Sequence, residues 1–410
     1  MFDRYPVLSI IFPLIMGMIV ANYSIDIVRF NNWLIFIVFA IIIIATSILF
    51  VLSLKKTKYI PYFSVASAFL FIFFGFIYEV KSMNDAQEEF GDKWRQSIYF
   101  NNKFQISKTK EIQSSIHNWY VKHGIDDQEG AILEAMTIGV KENLSKETKE
   151  FFSQAGVSHI LALSGYHIGI IYFILQFVFL HRIVSYRWRT ISHILTISFL
   201  WLYAFIAGMS PSLVRAVIMC SLLIVASIHT HQLLSINALA LSALIMLLIN
   251  PLLILHVGFQ LSYMSMLGIY IIGLPLCQSY QSYTFIDRFI WCTICISLTC
   301  TIFTMPIVAY TFHRIPTLSI FSNIIITALT YLLIPLVILW VVCACPDSIT
   351  QIINMLSNTI LLTTKQISEI PHSTLYISPS QPAVILFYCL LAISLILIKG
   401  NNIADKKSYG

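Results

Sequence analysis

The chain has 410 residues, 58% of them hydrophobic and 11% charged, with 25 Lys+Arg against 19 Asp+Glu and a mean hydropathy of +0.81. Soluble domains carry about 25% charged residues, so this composition excludes an ordinary globular enzyme, a disordered chain and a secreted disulfide scaffold. What remains is an all-α polytopic membrane protein, because a crossing needs about 20 predominantly apolar residues and many such stretches are present.

Taken in chain order, apolar windows predict spans near residues 7–24, 33–54, 60–80, 159–180, 190–209, 211–229, 233–250, 252–276, 288–312, 317–344, 349–368 and 383–398. That makes about 11–12 transmembrane helices, some of them broken. The first window, with Arg4 before it and Ala21 near its end, resembles a signal peptide, but a chain that re-enters the membrane at Trp33 needs no cleaved signal. The eleventh is polar in places (Asn354, Ser357, Asn358, Lys365), so it either spans or lies along the interface. With a cytoplasmic N-terminus, the short inside loops collect Lys55, Lys56, Lys58, Arg182, Arg187 and Arg189 among others, whereas the short outside loops hold only Arg29 and Arg314. Basic loops stay inside, so both termini are expected in the cytoplasm. Residues 151–410 contain ten basic and four acidic side chains, which leaves the membrane core acid-poor and net basic.

The polar stretch 81–156 is then expected outside. Ile112, Ile116 and Trp119 share a helix face, Asp126 and Glu129 resemble an N-terminal cap pair, and Leu144, Thr148, Phe151 and Ala155 form another stripe. Residues 97–107, with Asn101-Asn102 at their centre, carry a weak hairpin signal. The eight cysteines lie in or beside apolar runs and behave as small hydrophobes. Cys292 and Cys295 have metal-like spacing, yet no second pair follows at the distance a zinc site needs, so no metal is expected.

Four strings put polar or helix-breaking residues where lipid-facing helices do not tolerate them. FFSQAGVSHILALSGYHIGI (151–170) places His159, Ser164, Gly165 and His167 at the start of the fourth span, where helix packing through small residues competes with function. AGMSPSLVRAVIM (207–219) sets a Ser210-Pro211 turn and then Arg215 about one turn into the membrane. An intramembrane Arg costs roughly 2.5–3.5 kcal/mol even on lenient scales, so it faces protein or water unless it snorkels to the surface. NPLLILHVGFQLSYMSMLGI (250–269) brings His256, Gln260 and Ser262 into a span after the Asn250-Pro251 break. MPIVAYTFHRIPTLSIFSNIIITALTYLLIP (305–335) is punctuated by Pro306, Pro316 and Pro335, with His313 and Arg314 at the outside edge and Asn323 a lone amide in an apolar helix. Broken helices around a polar lining are how channels and transporters make a path, and kinked core packing is the plainer alternative for each proline.

In this order and at these spacings, SHILALSGYHIG, SPSLVRA, NPLLILHVGFQLS and FHRIP with SNI resemble the membrane domain of the ComEC-type competence family, over about residues 128–395. The resemblance implies an inner-membrane channel for uptake of single-stranded transforming DNA. It further implies contact with membrane lipid, and as partners a cytoplasmic DNA-translocating ATPase, an external DNA receptor and a separate nuclease. Its path candidates are His159, Ser164, Gly165, His167, Arg215, Gln260, Ser262, His313, Arg314 and Asn323, with no catalytic residue and no cofactor. The chain divides accordingly into a three-span segment 1–80, a short external segment 81–127, the channel domain 128–398 and a cytoplasmic tail 399–410. Full-length members resemble this chain with an external OB-type domain and a metallo-β-lactamase-like domain added. Here residues 81–124 are too few for five strands of about 5 residues with loops, and no HxHxDH motif occurs.

A DNA path needs few carboxylates, some fixed cations and aromatic faces for bases, which Arg215 with Tyr166, Trp201, Tyr203, Phe259 and Tyr263 supplies. An intramembrane serine hydrolase, with Ser164 as nucleophile and His159, His167 or His256 as base, lacks an evident ionised orienting partner. A small-molecule exporter predicts coupling carboxylates deep in the spans, and the sequence is read as offering none; uncoupled flipping of lipid or solute stays open.

Overall fold

The computed structural model describes residues 8–28, 60–90, 107–179, 186–228, 235–280 and 284–408, together with Ile42, Thr46 and Ile48. The second predicted span and the 97–107 hairpin signal therefore lie largely outside the described residues. In chain order the elements are α1 (Leu8–Val28), α2 (Ile60–Phe90), α3 (Ser107–Lys122), α4 (Asp127–Thr137), α5 (Lys146–Gln154), α6 (Ser158–Leu161), α7 (Gly165–Phe179), α8 (Tyr186–Ile206), α9 (Pro211–Ile228) and α10 (Ser235–Ile249). A 3₁₀ turn (Pro251–Leu255) leads into α11 (Val257–Gly268), a π turn (Ile269–Gly273) and α12 (Leu274–Ser279). Then come α13 (Phe285–Phe312), β1 (Arg314–Pro316), α14 (Ser319–Val342), α15 (Asp347–Ser368), β2 (Thr374–Tyr376) and α16 (Gln381–Ser408).

The fold is all-α, as the apolar windows require. Among the described residues, Val257–Ser279, Ile286–Phe312 and Ser319–Val342 are long and apolar enough to cross a membrane, and six shorter apolar helices accompany them. The strand content there is a three-residue antiparallel pair, with Arg314 opposite Tyr376. Several threonine hydroxyls inside the apolar helices are satisfied without water: Thr299, Thr330 and Thr364 each donate to the carbonyl four residues back, at 2.6–2.7 Å. Such back-bonding removes the cost of a stranded donor in an apolar surrounding.

The chain forms two compact units. The first comprises residues 1–111 and 164–263. In it α1 and α2 run antiparallel in near backbone contact, because Gly17 and Gly75 leave room that a Cβ would fill by colliding with the Ile72 and Leu14 carbonyl oxygens. Leu14 and Met18 of α1, Val214 and Ile218 of α9, Met246 and Leu247 of α10, and Phe259 of α11 share one buried cluster. Tyr78 Oη donates to Leu248 O at 2.7 Å and ties α2 to the end of α10.

The second unit comprises residues 112–163 and 264–410. Ile132, Leu133 and Met136 of α4, Phe152 of α5, Ile326, Leu333 and Trp340 of α14, and Ile353 and Ile360 of α15 form its core. Leu144, Thr148 and Ala155 are buried as the sequence stripe predicts. Asp126 does occupy the N-cap of α4 but makes no side-chain cap bond; the capping appears one helix later, where Ser145 Oγ accepts from Thr148 N at 2.9 Å. The doubtful eleventh window is a single helix, α15, whose Thr350, Ile353, Ser357, Ile360, Thr364 and Ser368 form a buried stripe. Its polar residues at 350, 357 and 364 belong to that packed stripe. Tyr388 Oη donates to Phe303 O at 2.8 Å, joining α16 to α13.

Candidate functional site

Six of the ten path candidates fall in the first unit, and four of them cluster around two helix starts. The fourth predicted span begins later than its apolar window, because residues 162–164 break from helical geometry and α7 starts at Gly165. Ser164 stands at that start. Its amide donates to His167 Nδ1 at 3.3 Å and its Oγ lies 3.2 Å from the same nitrogen, so a serine and the residue three positions on meet across the first turn. This spacing is that of a helix cap, with the imidazole in the place a capping-box carboxylate usually takes. His167 is only 1% exposed and packs edge-on against Tyr166, ring centroids 5.5 Å apart.

Arg215 comes from the second helix start. The loop 207–210 turns through Gly208 and Met209, both at positive φ, and Pro211 opens α9 at a position where its missing N–H costs nothing. One turn later Arg215 is 4% exposed, so it does not snorkel to solvent. Its guanidinium lies over the Tyr263 ring, 5.8 Å from the centroid, and a Cβ on Gly165 would come within 3.2 Å of its Nη2. Gly165 thus lets the cation approach the α7 backbone, and the ring quadrupole offsets part of its desolvation. Tyr263 is held from behind by Ser242 Oγ, 3.0 Å from its hydroxyl, and by Phe259, ring centroids 4.3 Å apart. Ser164, Gly165, His167, Arg215 and Tyr263 are accordingly one cluster.

Gln260 and His256 are drawn elsewhere by local geometry. The Asn250-Pro251 break is real: Asn250 Oδ1 accepts from Leu252 N at 3.2 Å. His256 Nδ1 accepts from Gly258 N at 3.1 Å, and Gln260 Nε2 donates to Ile254 O at 2.8 Å. Both side chains close the turn that starts α11, and Ser212 Oγ ties that turn to α9 through Gly258 O at 3.3 Å. Ser262 lies on α11, half-buried and next in sequence to Tyr263.

The remaining four candidates belong to the second unit. His159 is exposed on α6. His313 is an exposed left-handed C-cap of α13, at φ 56°. Arg314 Nη1 donates to Glu150 Oε1 at 2.6 Å, a partly exposed ion pair between β1 and α5. Asn323 is buried in α14 near the close approach of Gly156 to Ser319. Gly156 has φ +76°, and a Cβ there would lie 2.6 Å from that of Ser319.

Two carboxylates went unnoticed in the sequence. Glu79, at the last turn of the third predicted span, is fully buried in α2, and neither of its oxygens has a hydrogen-bond partner among the described residues. The spans are therefore not free of carboxylates, and its place inside an apolar window was the available signal. Glu134 of α4 is 2% exposed and meets His117 Nδ1 at 2.5 Å, with Asn143 Nδ2 donating to its other oxygen at 2.7 Å. A pairing across so much chain leaves no local sequence pattern. Among the described residues, no group of three or more His, Cys, Asp or Glu is placed to hold a metal ion.

Comparison with known proteins adds an independent line. The competence protein family matches residues 136–401, a stretch that contains all ten path candidates. The chain is 27% identical over 205 residues to ComE operon protein 3 of Bacillus subtilis (strain 168), an alignment covering 50% of this chain and 25% of that protein. The chain thus spans about a quarter of the length of the curated relative it matches. No solved structure matches it.

Proposed function

Since the chain belongs to the competence protein family, we propose that it is a multi-pass membrane channel for the inward passage of single-stranded transforming DNA across the bacterial cytoplasmic membrane. One observation carries this reading: within the matched stretch, a guanidinium is buried in an apolar helix bundle, stacked on Tyr263 and given room by Gly165. Burying an Arg is costly, and its retention suits a polyanion passing close by. Tyr263 beside it and Tyr166 on α7 are half-buried rings of the kind on which bases stack, at about 1–3 kcal/mol per base. The basic bias of the predicted inside loops supports cytoplasmic termini. An ATPase on the cytoplasmic side, a DNA receptor outside and a separate nuclease would complete the pathway.

Deleting the gene in a transformable host tests this. Surface binding of DNA is expected to persist while transformation is abolished; a normal transformation frequency would refute the proposal.

A second reading has one observation in its favour, the 3.2 Å approach of Ser164 Oγ to His167 Nδ1. A serine hydrolase needs that nitrogen to take the hydroxyl proton, yet the same nitrogen accepts the Ser164 amide. The pair serves as a cap, so the channel is preferred.

A further inference from the structure

The segment that the sequence places outside the membrane follows α14 and α15 from one end to the other. At the C-terminal end of α14, Trp119 packs on Trp340 with ring centroids 5.0 Å apart, Tyr120 meets the same indole at 6.0 Å, and Asn354 Nδ2 donates to Gly124 O at 2.9 Å. At the opposite end, Gly156 presses on Pro316 and Ser319, Lys365 lies 5.7 Å from the Phe151 ring, and Thr374 Oγ1 donates to Gln154 O at 3.2 Å. Between these ends α4 and α5 are buried against both helices in one continuous core. From Ser319 to Trp340 the helix rises roughly 32 Å at about 1.5 Å per residue. That equals the ~30 Å hydrocarbon thickness of a bilayer.

The two outer faces of this layered unit differ in chemistry. On α14 the exposed residues include Phe321, Leu332, Leu339 and Val342, a face suited to lipid. On α3 they include Ser114, Ser115, Asn118 and Lys122, with Val121 beside them. Helix α3 runs antiparallel to α4 and shares its depth, since Gln113 Nε2 donates to Ile138 O at 3.0 Å and His117 meets Glu134. The buried Glu134 is paired with His117 and Asn143, as a carboxylate removed from water requires. A helix face of hydroxyls, an amide and an ammonium is not stable against acyl chains, and polar elements persist at that depth only inside protein or along water.

We infer that residues 112–157 enter the membrane thickness alongside α14 and α15, and that the Ser114, Ser115, Asn118 and Lys122 face of α3 is one wall of a water-filled path. This does not depend on what the path carries.

Thiol labelling of single-cysteine variants in a cysteine-free background tests it in sealed membranes. Asp126→Cys is expected to react with a membrane-impermeant maleimide from the same side as a restored Cys343. Ser158→Cys, exposed beside the contact of Gly156 with Ser319, should react from the other side, together with Thr317→Cys. Ser115→Cys should react rapidly with a small water-soluble methanethiosulfonate, whereas Leu332→Cys, on the lipid face, should not. Labelling of residues 126 and 158 from one side, or equal protection of 115 and 332, would overturn the inference. If replacing the eight natural cysteines lowers accumulation, protease sites inserted after Asp126 and after Ser158 give the same readout: cleavage from opposite sides supports the inference, and cleavage from one side defeats it. No DNA is present in either assay, so its failure leaves the uptake proposal standing, and loss of the uptake proposal leaves this result intact.

Discussion

Arg215 is where channel and hydrolase make opposite predictions. If its fixed charge serves a polyanion path, Arg215→Lys retains part of the DNA uptake and Arg215→Ala loses most of it, measured as transformation frequency at equal membrane accumulation. Ser164→Ala removes only the hydroxyl beside His167 Nδ1 and leaves the backbone amide that donates to this nitrogen, so uptake should persist. A dead Ser164→Ala variant that accumulates normally, beside an active Arg215→Ala, would promote the hydrolase. Glu79 calls for a different measurement. An acid buried without a hydrogen-bond partner lowers stability by the cost of its desolvation, so an apolar replacement removes that cost. Glu79→Leu should therefore unfold in detergent at the same or a higher temperature, and a clear fall would reveal a partner. Arg215 could be singled out in sequence because a charged residue between Val214 and Ala216 breaks an apolar run. Its partners could not: Tyr263 lies on another helix, and the room made by Gly165 appears only once α7 and α9 are packed.

Among the elements, close packing at glycine sets the sharpest expectations. A side chain at Gly75 meets backbone rather than a flexible neighbour, so the helices themselves must separate. Gly75→Val is expected to destabilise by about 1–3 kcal/mol or to prevent accumulation, whereas the same change at Gly169, with nothing within 4 Å, should be tolerated. Indistinguishable thermal midpoints for the two variants would contradict the α1–α2 packing. Helix breaks were legible because they are chemical: Asn250-Pro251 removes a donor, and the chain turns there as expected. Helix starts were less so. The apolar window 159–180 hides the break at 162–164, since Ala162 and Leu163 are as apolar as any helical residue. Asp126 has the composition of a cap without the geometry, because side-chain capping depends on the approach angle of the chain.

For the molecule as a whole, composition was enough for an all-α membrane protein, and the four polar strings for its family, confirmed over residues 136–401. Less legible was the role of residues 112–157. Read linearly they form a polar interval between apolar windows, yet their apolar stripes bury against α14 and α15. A hydropathy window cannot distinguish a water-exposed cap from a layer whose apolar face meets helices and whose polar face meets water. The central claim is that this chain conducts DNA into the cytoplasm. It is tested most directly by the amount of end-labelled DNA that becomes resistant to external nuclease and is recovered in the cytoplasmic fraction. In a deletion strain that still binds DNA at its surface, the account predicts that no cytoplasmic label is recovered and that expression of this chain restores it. Undiminished label in the deletion strain would contradict it.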